Sequence, residues 1–564
     1  MGQEVAISEE DPTPDELSGP LLGNSADSTT SIVRNSAVMS VGTGLSRLTG
    51  FLRLSALVWA LGISGNRVAD AYNTANTAPN IIYELALGGI LSSVLVPVFV
   101  EWLQNRGEDE TADVARRLLS LTVALLSTIM VLGIIFAPWI MKLYASGIED
   151  PARKAYTEAL GTFLLRFFMP QIVFYGIGAV ATAMLNAHRK FAAPMFAPIL
   201  NNLIVVATCV IYALMAGATR GQPGFTPTLA EKLVLGIGTT LGVVVMTLAL
   251  WPSIRRTGFR FHWRGDWRHE AIRRIAQLAK WVVVYVVVNQ IGYLIVVILA
   301  LHTGQGAFSA YQAAFILFQL PYAIFAVSIF TALLPAMSSR WSASDIPGFR
   351  AMLARGLRMT AFIVIPASAG YLVLADPIVR LLLQHGATGA RDAESITSIL
   401  MLFSIGLFSF SAFQLLLRAF YSTQDSRTPA LANVASVGLN ITVNLLLVGT
   451  MGVRGLALGH AVAYTFGAFL LATLLRRKLG GLDGGAVTRG LAKILVASAI
   501  TAAVAWGTST LIAHLLPGAG LGALALQVLI SVAAGLIVFL GIATALHMEE
   551  LSLVKGSLAS RFSR

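Results

Sequence analysis

The sequence has little of what soluble enzymes and metalloproteins depend on. Only 12% of its 564 residues are charged, about half of the ~25% typical of soluble domains. Cys209 is the single cysteine, which excludes an intrachain disulfide and a cysteine-based metal cluster. The eight histidines are scattered, and neither an HExxH motif nor a Walker-type glycine loop occurs. We therefore expect no metal, no cofactor, no ATP hydrolysis and no enzymatic activity.

Hydrophobic residues, in contrast, make up 56% of the chain. From Ile32 onward, apolar runs longer than about 18 residues recur, as they do in membrane-spanning helices. The sequence therefore predicts an all-α polytopic membrane protein with about fourteen spans. The predicted spans are 33–62, 68–102, 115–145, 157–187, 193–217, 232–252, 277–302, 307–337, 355–385, 393–420, 429–450, 455–476, 488–515 and 519–546.

The positive charge follows this predicted topology. A formal net charge of +12 would suit nucleic acid binding, but most lysines and arginines lie in loops that join an even-numbered span to the next odd-numbered one. Such an excess marks the cytoplasmic side of a membrane protein. We therefore predict that both termini are cytoplasmic and that nucleic acid is not a partner. Trp267–Leu278 mixes arginine with apolar residues, which predicts an amphipathic helix on the inner membrane surface.

Composition divides the chain into six parts. The first 30 residues contain seven acidic and no basic residues, which is typical of a disordered tail and not of a cleavable signal peptide. The predicted parts are a disordered acidic cytosolic tail (1–31), an N-terminal lobe of spans 1–6 (32–256), an amphipathic interfacial linker (257–276), a C-terminal lobe of spans 7–12 (277–478), an extra helix pair of spans 13–14 (488–547) and a basic cytosolic tail (548–564).

The two predicted lobes are similar in sequence. Ala71-Tyr72-Asn73 recurs as Ala310-Tyr311-Gln312, at an offset of 239 residues, and Leu185–Pro194 resembles Phe420–Pro429 at an offset of 235. The offset crosses six spans, an even number, so both lobes have one orientation in the membrane. Parallel repeats of this kind place a substrate site at the interface of the lobes, near the middle of the membrane.

Polar residues form a stripe along the second predicted span. They recur every three or four residues, which places them on one face of a helix. The stripe consists of Asp70, Asn73, Thr77, Asn80, Glu84, Gly88 and Ser92, and span 8 carries a neutral counterpart of Gln305, Ser309, Gln312 and Gln319. Such a stripe either forms hydrogen bonds between helices, each of which contributes about 0.6 kcal/mol to helix association, or lines a cavity. A seam between helices does not require Asp and Glu, so we favour the cavity. The candidate substrate contacts are Asp70, Asn73, Asn80 and Glu84, with Thr77, Gln312 and Gln319 as further candidates.

Two arginines, Arg47 and Arg53, lie inside the first predicted span. A guanidinium within a span costs at least ~2.5 kcal/mol and does not escape by losing its proton. Six positions correspond to about 9 Å along a helix and about 120° around it, so the two do not share one face. Each either reaches the membrane surface, pairs with a carboxylate such as Asp70 or Glu84, or binds phosphate in a wet cavity through its planar fork. The matching positions of the second lobe carry no charge, so an anion site would belong mainly to the first.

Other polar residues within the spans have roles that the sequence leaves open. Arg166 lies in an apolar run of span 4 and is a further candidate for the anion site. Arg380 is close enough to the end of span 9 to reach the membrane surface. Asn289, Asn440 and Asn444 could offer carbonyl oxygens to a coupling cation, although asparagines in helix bundles more often join helices.

Four segments resemble one family of membrane proteins. SRLTGFLR (Ser46–Arg53), ADAYNTANTAPN (Ala69–Asn80), LNAHRKF (Leu185–Phe191) and FYSTQDSRTP (Phe420–Pro429) are similar to the MurJ/MviN family. Its members are lipid II flippases of the multidrug/oligosaccharidyl-lipid/polysaccharide exporter superfamily. The resemblance covers residues from about 33 to 550 and is most specific in the first two spans.

The resemblance implies fourteen helices, two six-helix lobes in a V shape, and export of the lipid-linked peptidoglycan precursor across the bacterial plasma membrane. It implies that Arg47 and Arg53 bind the pyrophosphate and that Asp70 is an acid of the cavity. The extra helix pair would form a groove for the undecaprenyl chain. The sequence departs from the family at Tyr83, where many members have arginine, at Gly88, near which many have an acid, and near Ile316, where a further arginine is common.

Several other functions compete with this expectation. A flippase for another undecaprenyl-pyrophosphate-linked glycan is the nearest, because a pyrophosphate clamp does not recognise sugars. An ion-coupled drug exporter of the same superfamily is disfavoured, since cationic drugs would not require two cavity arginines. A lipid-dependent glycosyltransferase would need catalytic carboxylates or histidines in a large loop. A scaffold that recruits cell-wall synthesis proteins through the acidic tail is the last alternative.

Overall fold

The computed structural model describes residues 25–65, 67–84, 95–265, 268–482, 484–517 and 520–552, and within these ranges every regular element is helical. Most of the predicted acidic tail, the end of the basic tail, Gly88 and Ser92 lie outside them. The α-helices are α1 (Ser25–Leu61), α2 (Val68–Tyr83), α3 (Val96–Ile135), α4 (Ala137–Tyr144), α5 (Pro151–Phe168), α6 (Gln171–Ala187), α7 (Ala192–Ala216), α8 (Leu229–Leu248), α9 (Trp251–Arg255), α10 (Glu270–Thr303), α11 (Ala307–Pro321), α12 (Val327–Ser342), α13 (Ile346–Leu383), α14 (Ala390–Ile405), α15 (Leu407–Ser422), α16 (Arg427–Met451), α17 (Val453–Leu479), α18 (Gly484–Leu515) and α19 (Leu521–Ala545).

The helices confirm a polytopic membrane protein, although not the exact number of spans. Among the described residues, eleven stretches are long and apolar enough to cross a membrane, and the pair α14–α15, bent by 49°, would be a twelfth. The two predicted spans not among these are the first two. α1 covers the first as a continuous helix, whereas the second, 68–102, contains the undescribed residues 85–94. The predicted number of fourteen is therefore not confirmed.

Local sequence explains where several helices begin. The Asp150 side chain accepts a hydrogen bond from the Ala152 amide at 3.0 Å, and Pro151 occupies the first position of α5. Thr228 and Glu231 form a reciprocal capping box at the start of α8. Such caps satisfy amide groups that have no partner within the helix.

The sequence repeat is reproduced in the backbone. Arg189 and Gln424, 235 residues apart, both adopt a left-handed conformation, with φ of 57° and 58°. The residue after each, Lys190 or Asp425, donates its amide to a carbonyl five positions back, at 2.8 and 3.1 Å. A left-handed conformation is uncommon outside glycine. The same rare turn at the predicted offset therefore shows that the lobes share one local structure.

The packing of the helices repeats as well. In the first lobe, α1 packs on α7, α7 on α8, and α5 on α8; in the second, α10 packs on α16, α16 on α17, and α14 on α17. α18 and α19 lie outside this repeat, against each other and against α13. Phe362 of α13 contacts Phe539 of α19, with ring centroids 5.1 Å apart. The structure thus contains two similar lobes and an additional helix pair.

The two ends of the bundle differ in their loops. We call the end that carries loops 62–65, 148–150, 303–306 and 384–389 the contact end, because the lobes meet there. The opposite end carries turns 188–191, 256–265, 343–345 and 423–426, and we call it the basic end for its arginines and lysines. Because the chain crosses from one end to the other with each span, the repeated turns of both lobes lie at the basic end.

The predicted amphipathic helix forms the beginning of α10 and is not a separate element. α10 runs without a break from Glu270 to Thr303, so the linker continues directly into the next span. Arg274 pairs with Glu101 at 2.9 Å, and Arg106 lies 3.6 Å from Glu270. These ion pairs connect the start of α10, in the second lobe, to α3 of the first lobe.

Asp425 stabilises one of the repeated turns through its side-chain contacts. It accepts hydrogen bonds from the Thr428 amide and hydroxyl at 3.0 and 2.9 Å, and Lys478 lies 3.1 Å away. Partial burial would raise the pKa of this carboxyl, but the bonds from Thr428 and Lys478 outweigh it and lower the pKa below its ordinary value of 3.8. The charged carboxylate is therefore the form that stabilises the turn.

We expect the substitution Asp425→Asn to reduce the free energy of unfolding by about 1 kcal/mol at pH 7, a figure that allows for solvent screening. Because the pKa of the folded state is lowered, this contribution is present above pH 3.8 and is lost as the pH falls through the folded pKa. Thermal unfolding in detergent at pH 7 and at pH values below 3.8 would measure it, with the exposed Asp109→Asn as control. An equal unfolding temperature for D425N and the parent protein at pH 7 would contradict the role of the turn.

Candidate functional site

The lobes are joined directly at the contact end. The amide of Ala387 donates to the carbonyl of Trp59 at 3.0 Å, and the Ser64 amide donates to the Asp392 carboxylate at 3.0 Å. Asp392 is buried and also accepts from the Ser64 hydroxyl. Each of these bonds joins a residue of the first lobe to one of the second. The contact end is therefore closed in this structure.

Asp70 forms the most deeply buried of these connections. Its carboxylate accepts hydrogen bonds from the Gly306 amide at 2.7 Å, from the Ser309 amide at 3.1 Å and from the Ser309 hydroxyl at 2.8 Å. Gly306 and Ser309 are at the start of α11, where free amides and the helix dipole favour a negative charge. Asp70 thus caps a helix of the opposite lobe. This placement differs from the expected direct contact with substrate, because all three bonds of the carboxylate are made within the protein.

A cavity of about 410 Å³ lies between the lobes, and we call it the central cavity. Its wall combines residues of α1, α2, α7, α10 and α11. The residues of the two predicted polar stripes that line it are Asn73, Thr77, Asn80, Ser309, Gln312 and Gln319. Asn73 donates to Ser309 across the lobes at 3.0 Å. The two polar stripes therefore meet at one cavity, as their repetition at a constant offset predicts.

Arg53 contributes the positive charge of the central cavity. Its side chain is half-buried in the wall and makes no hydrogen bond or ion pair with any residue that the structure describes. Arg47, in contrast, is exposed and is not among the residues that line the central cavity. The separation of about 120° around the helix accounts for this difference. The structure brings one of the two predicted arginines to the cavity, and neither Asp70 nor Glu84 pairs with it.

A second cavity of about 280 Å³ adjoins the first, and we call it the second-lobe cavity. The two cavities share Asn80, Tyr293, Tyr311 and Phe315 in their walls. Glu84 is exposed and lines the second-lobe cavity, not the central one. The polar stripe of α2 thus passes from one cavity to the next along the helix.

The remaining candidates lie elsewhere. Arg166 is exposed on α5 and lines neither cavity. Arg380 pairs with Asp376, one turn earlier in α13, at 2.9 Å. Asn444 donates to Asn440 at 3.1 Å within α16. In the part of the chain that the structure describes, no three His, Cys, Asp or Glu residues gather as metal ligands.

Sequence reasoning missed several residues of the two walls. Asn76 and Asn202 line the central cavity, and Tyr293 lines both. Asn76 lies on α2 three positions after Asn73 and four before Asn80, so the spacing of the stripe could have identified it. Asn202 donates to Thr49 of α1 at 3.1 Å, so it joins α7 to α1 and also borders the cavity. No periodic signal in the sequence distinguishes Tyr293 from other aromatic residues of span 7.

The fold, with its cavity between two repeated lobes, is similar to that of solved membrane transporters. The fold is similar to a solved structure titled as the inward-facing conformation of a multidrug resistance MATE family transporter of the MOP superfamily, with a TM-score of 0.63. The two share 13% identity, over 78% of this chain and 98% of the other. A solved lipid II flippase MurJ in an inward closed conformation has a TM-score of 0.72 and 21% identity, over 90% and 99% of the two chains. At such low identity these similarities establish the fold.

The sequence establishes the family. Residues 60–525 match the family model described as lipid II flippase MurJ, and the chain therefore belongs to the MurJ family. A probable lipid II flippase MurJ of Rhizobium meliloti (strain 1021) is 27% identical over 532 residues, which cover 94% of this chain and 96% of the relative. A probable lipid II flippase MurJ of Vibrio cholerae is 28% identical over 511 residues, or 88% and 93% of the two chains. The family resemblance in the sequence is thereby confirmed.

Proposed function

We propose that this protein translocates lipid II from the inner to the outer leaflet of the bacterial plasma membrane by alternating access. Membership of the MurJ family supports this proposal. The observation that carries it is Arg53, a guanidinium in the wall of a cavity between two repeated lobes, with no hydrogen-bonding or ionic partner among the described residues. A half-buried cation in a membrane protein is costly unless an anion or water accompanies it. The pyrophosphate of lipid II is such an anion.

The described conformation corresponds to a state closed on the outside. We place the contact end at the outer surface and the basic end, with both termini, in the cytoplasm, because arginine and lysine concentrate on the cytoplasmic side. In this orientation the central cavity is sealed from the outside by the bonds of Asp70 and Asp392. Release of the head group would require these bonds to break as the lobes rotate.

Different residues around the cavity would bind different parts of the substrate. Arg53 would bind pyrophosphate oxygens through two parallel N–H groups, an arrangement that planar guanidinium favours. Asn73, Asn80 and Gln312 offer neutral donors and acceptors beside it. The undecaprenyl chain would remain in hydrocarbon, along the helix pair α18–α19, which packs on α13. Each part of the substrate thus finds surroundings of matching polarity.

The membrane potential can drive this movement. When an anion moves outward across a membrane that is negative inside, its electrostatic free energy falls by about 2.3 kcal/mol per charge for each 100 mV of potential. Arg53 neutralises part of the pyrophosphate charge while the head group is bound, and the potential acts on the charge that remains. A coupling cation is an alternative source of energy, and cell-wall synthesis proteins are proposed as further partners.

Depletion in cells tests the function. Cells that lose the protein should accumulate lipid II in the inner leaflet and show less of it outside, which an outer-leaflet labelling assay measures. Normal lipid II export together with accumulation of a different undecaprenyl-linked glycan would favour the rival flippase. If deletion of residues 1–30 reproduced the defect while transport by the purified protein stayed normal, the scaffold alternative would stand instead.

A further inference from the structure

The second-lobe cavity has an unusual wall for the interior of a membrane bundle. Three helices of the second lobe line it with neutral polar side chains: Asn289, Gln290 and Tyr293 from α10, Asn433, Ser436 and Asn440 from α16, and His460 and Tyr464 from α17. Polar groups at this depth are costly to leave without hydrogen bonds. Their concentration on one side of a cavity needs an explanation beyond helix packing.

Helix packing uses only part of the hydrogen-bonding capacity of this wall. Asn289 donates its amide to the Tyr285 carbonyl at 2.7 Å, which leaves its own oxygen without a donor among the described residues. Asn440 accepts from Asn444, and its own amide hydrogens have no acceptor within the ranges that the structure describes. Gln290, also in the wall, makes no side-chain hydrogen bond with the described part of the chain. The wall therefore presents at least one acceptor and two groups of donors.

Two further residues of the wall contain buried polar atoms without hydrogen-bond partners among the described residues. Asn433 is only 1% exposed, and neither its oxygen nor its nitrogen has a partner within the described ranges. The Nε2 atom of His460 is likewise buried and without a partner. Its ring lies between aromatic rings, with the Tyr464 centroid 4.5 Å away. Buried polar atoms without partners are few in native proteins, and these three atoms belong to residues of the cavity wall, where a polar ligand can pair with them.

The charge of the cavity restricts the kind of ligand. Among the described residues of its wall, Glu84 is the only formally charged one when His460 is neutral, and Arg53 belongs to the neighbouring central cavity. A lone carboxylate disfavours an anion, and no cluster of carboxylates or histidines gathers as cation ligands among the described residues. Asparagine and glutamine amides pair best with groups that both donate and accept, such as amides and sugar hydroxyls.

We propose that the second-lobe cavity binds the uncharged part of the lipid II head group, namely its sugar hydroxyls and amide groups, while Arg53 binds the pyrophosphate. This inference rests on the proposed function. The two cavities share Asn80, Tyr293 and Tyr311, so one head group can extend from the central cavity into the second-lobe cavity. The second lobe thereby recognises sugar hydroxyls and amide groups of the head group, and the first lobe recognises the charge of the pyrophosphate.

Two ligands and two cavity variants test the proposal. The ligands are lipid II and undecaprenyl pyrophosphate, which shares the phosphates and the lipid but has no sugar or peptide. Gln290→Met keeps the side-chain volume and removes both polar atoms, and Asn289→Leu does the same in its place. We expect the double variant to bind lipid II about tenfold more weakly, from the loss of two or three hydrogen bonds, and to bind undecaprenyl pyrophosphate as the parent does.

Equal affinity of the double variant and the parent for lipid II, or an equal loss for both ligands, would overturn the proposal. Gln104→Met makes the same chemical change outside both cavities and should alter neither affinity. Arg53→Ala distinguishes failure of this proposal from failure of the proposed function. Loss of the pyrophosphate contact should weaken the binding of both ligands. If the double variant does not fold, His460→Phe supplies a second test, since a phenyl ring fits the aromatic surroundings and removes only the ring nitrogens.

Discussion

Replacing Arg53 with alanine is expected to abolish lipid II translocation while the protein still folds and inserts. The guanidinium makes no hydrogen bond or ion pair within the described chain, so its removal strands no protein partner. A charge-assisted contact with phosphate is worth roughly 1.5–3 kcal/mol, which corresponds to a 10- to 150-fold loss of affinity. Lipid II binding to the purified variant and complementation of depleted cells would both measure the effect.

Arg47→Ala is the matched control, because Arg47 lies in the same helix and is exposed outside the central cavity. We expect this variant to retain most of its transport. Arg53→Lys keeps the charge but not the planar fork, and should fall between the parent and the alanine variant. Full transport by R53A, or an equal loss in R47A and R53A, would contradict the assignment of the anion site to Arg53.

Neutralising Asp70 is expected to open the contact end. In Asp70→Asn an amide replaces the carboxylate that accepts hydrogen bonds from Gly306 and Ser309. A neutral amide accepts these bonds more weakly, and it is no longer attracted to the positive end of the helix dipole at the start of α11. Loss of these charge-assisted bonds should shift the equilibrium between closed and open contact ends by roughly 2 kcal/mol, a factor of about 30. Transport should fall as well, because alternating access requires both states.

Spin labels at Lys142 and Glu394, in a Cys209→Ala background, would report this change. Both residues are exposed at the contact end, one in each lobe. Asp376→Asn is the control, since Asp376 pairs with Arg380 within a single helix and joins no lobes. Distances in D70N that match those of the parent would show that Asp70 does not hold the contact end closed.

The sequence alone is sufficient to predict the architecture, because two physical signals are strong. Long apolar runs fix where helices cross the membrane, and the repeat reappears as a left-handed turn at Arg189 and Gln424 with the same backbone hydrogen bonds. The polar stripe of span 2 is also predicted well, since helical periodicity alone places Asn73, Thr77 and Asn80 on one face. The structure adds that this face meets Gln312 and Gln319 of the other lobe.

The role of Asp70 could not be deduced in this way. A carboxylate in a span suggests a cavity, and only the structure places the start of α11 within hydrogen-bonding distance, 236 residues away in sequence. The choice between Arg47 and Arg53 depends on how α1 is rotated against α7, which periodicity does not determine. The second-lobe cavity combines Asn289 and Gln290 of α10 with Asn433, Ser436 and Asn440 of α16. The α16 residues recur at intervals of three and four residues, a stripe that sequence reasoning missed.

A structure of the protein with bound lipid II is the measurement that bears most directly on this account. We predict density for the pyrophosphate within hydrogen-bonding distance of the Arg53 guanidinium, inside the central cavity, with the contact end closed. Pyrophosphate density on the lipid-facing side of α1 at Arg47, or elsewhere on the bundle with Arg53 in contact only with water, would contradict it.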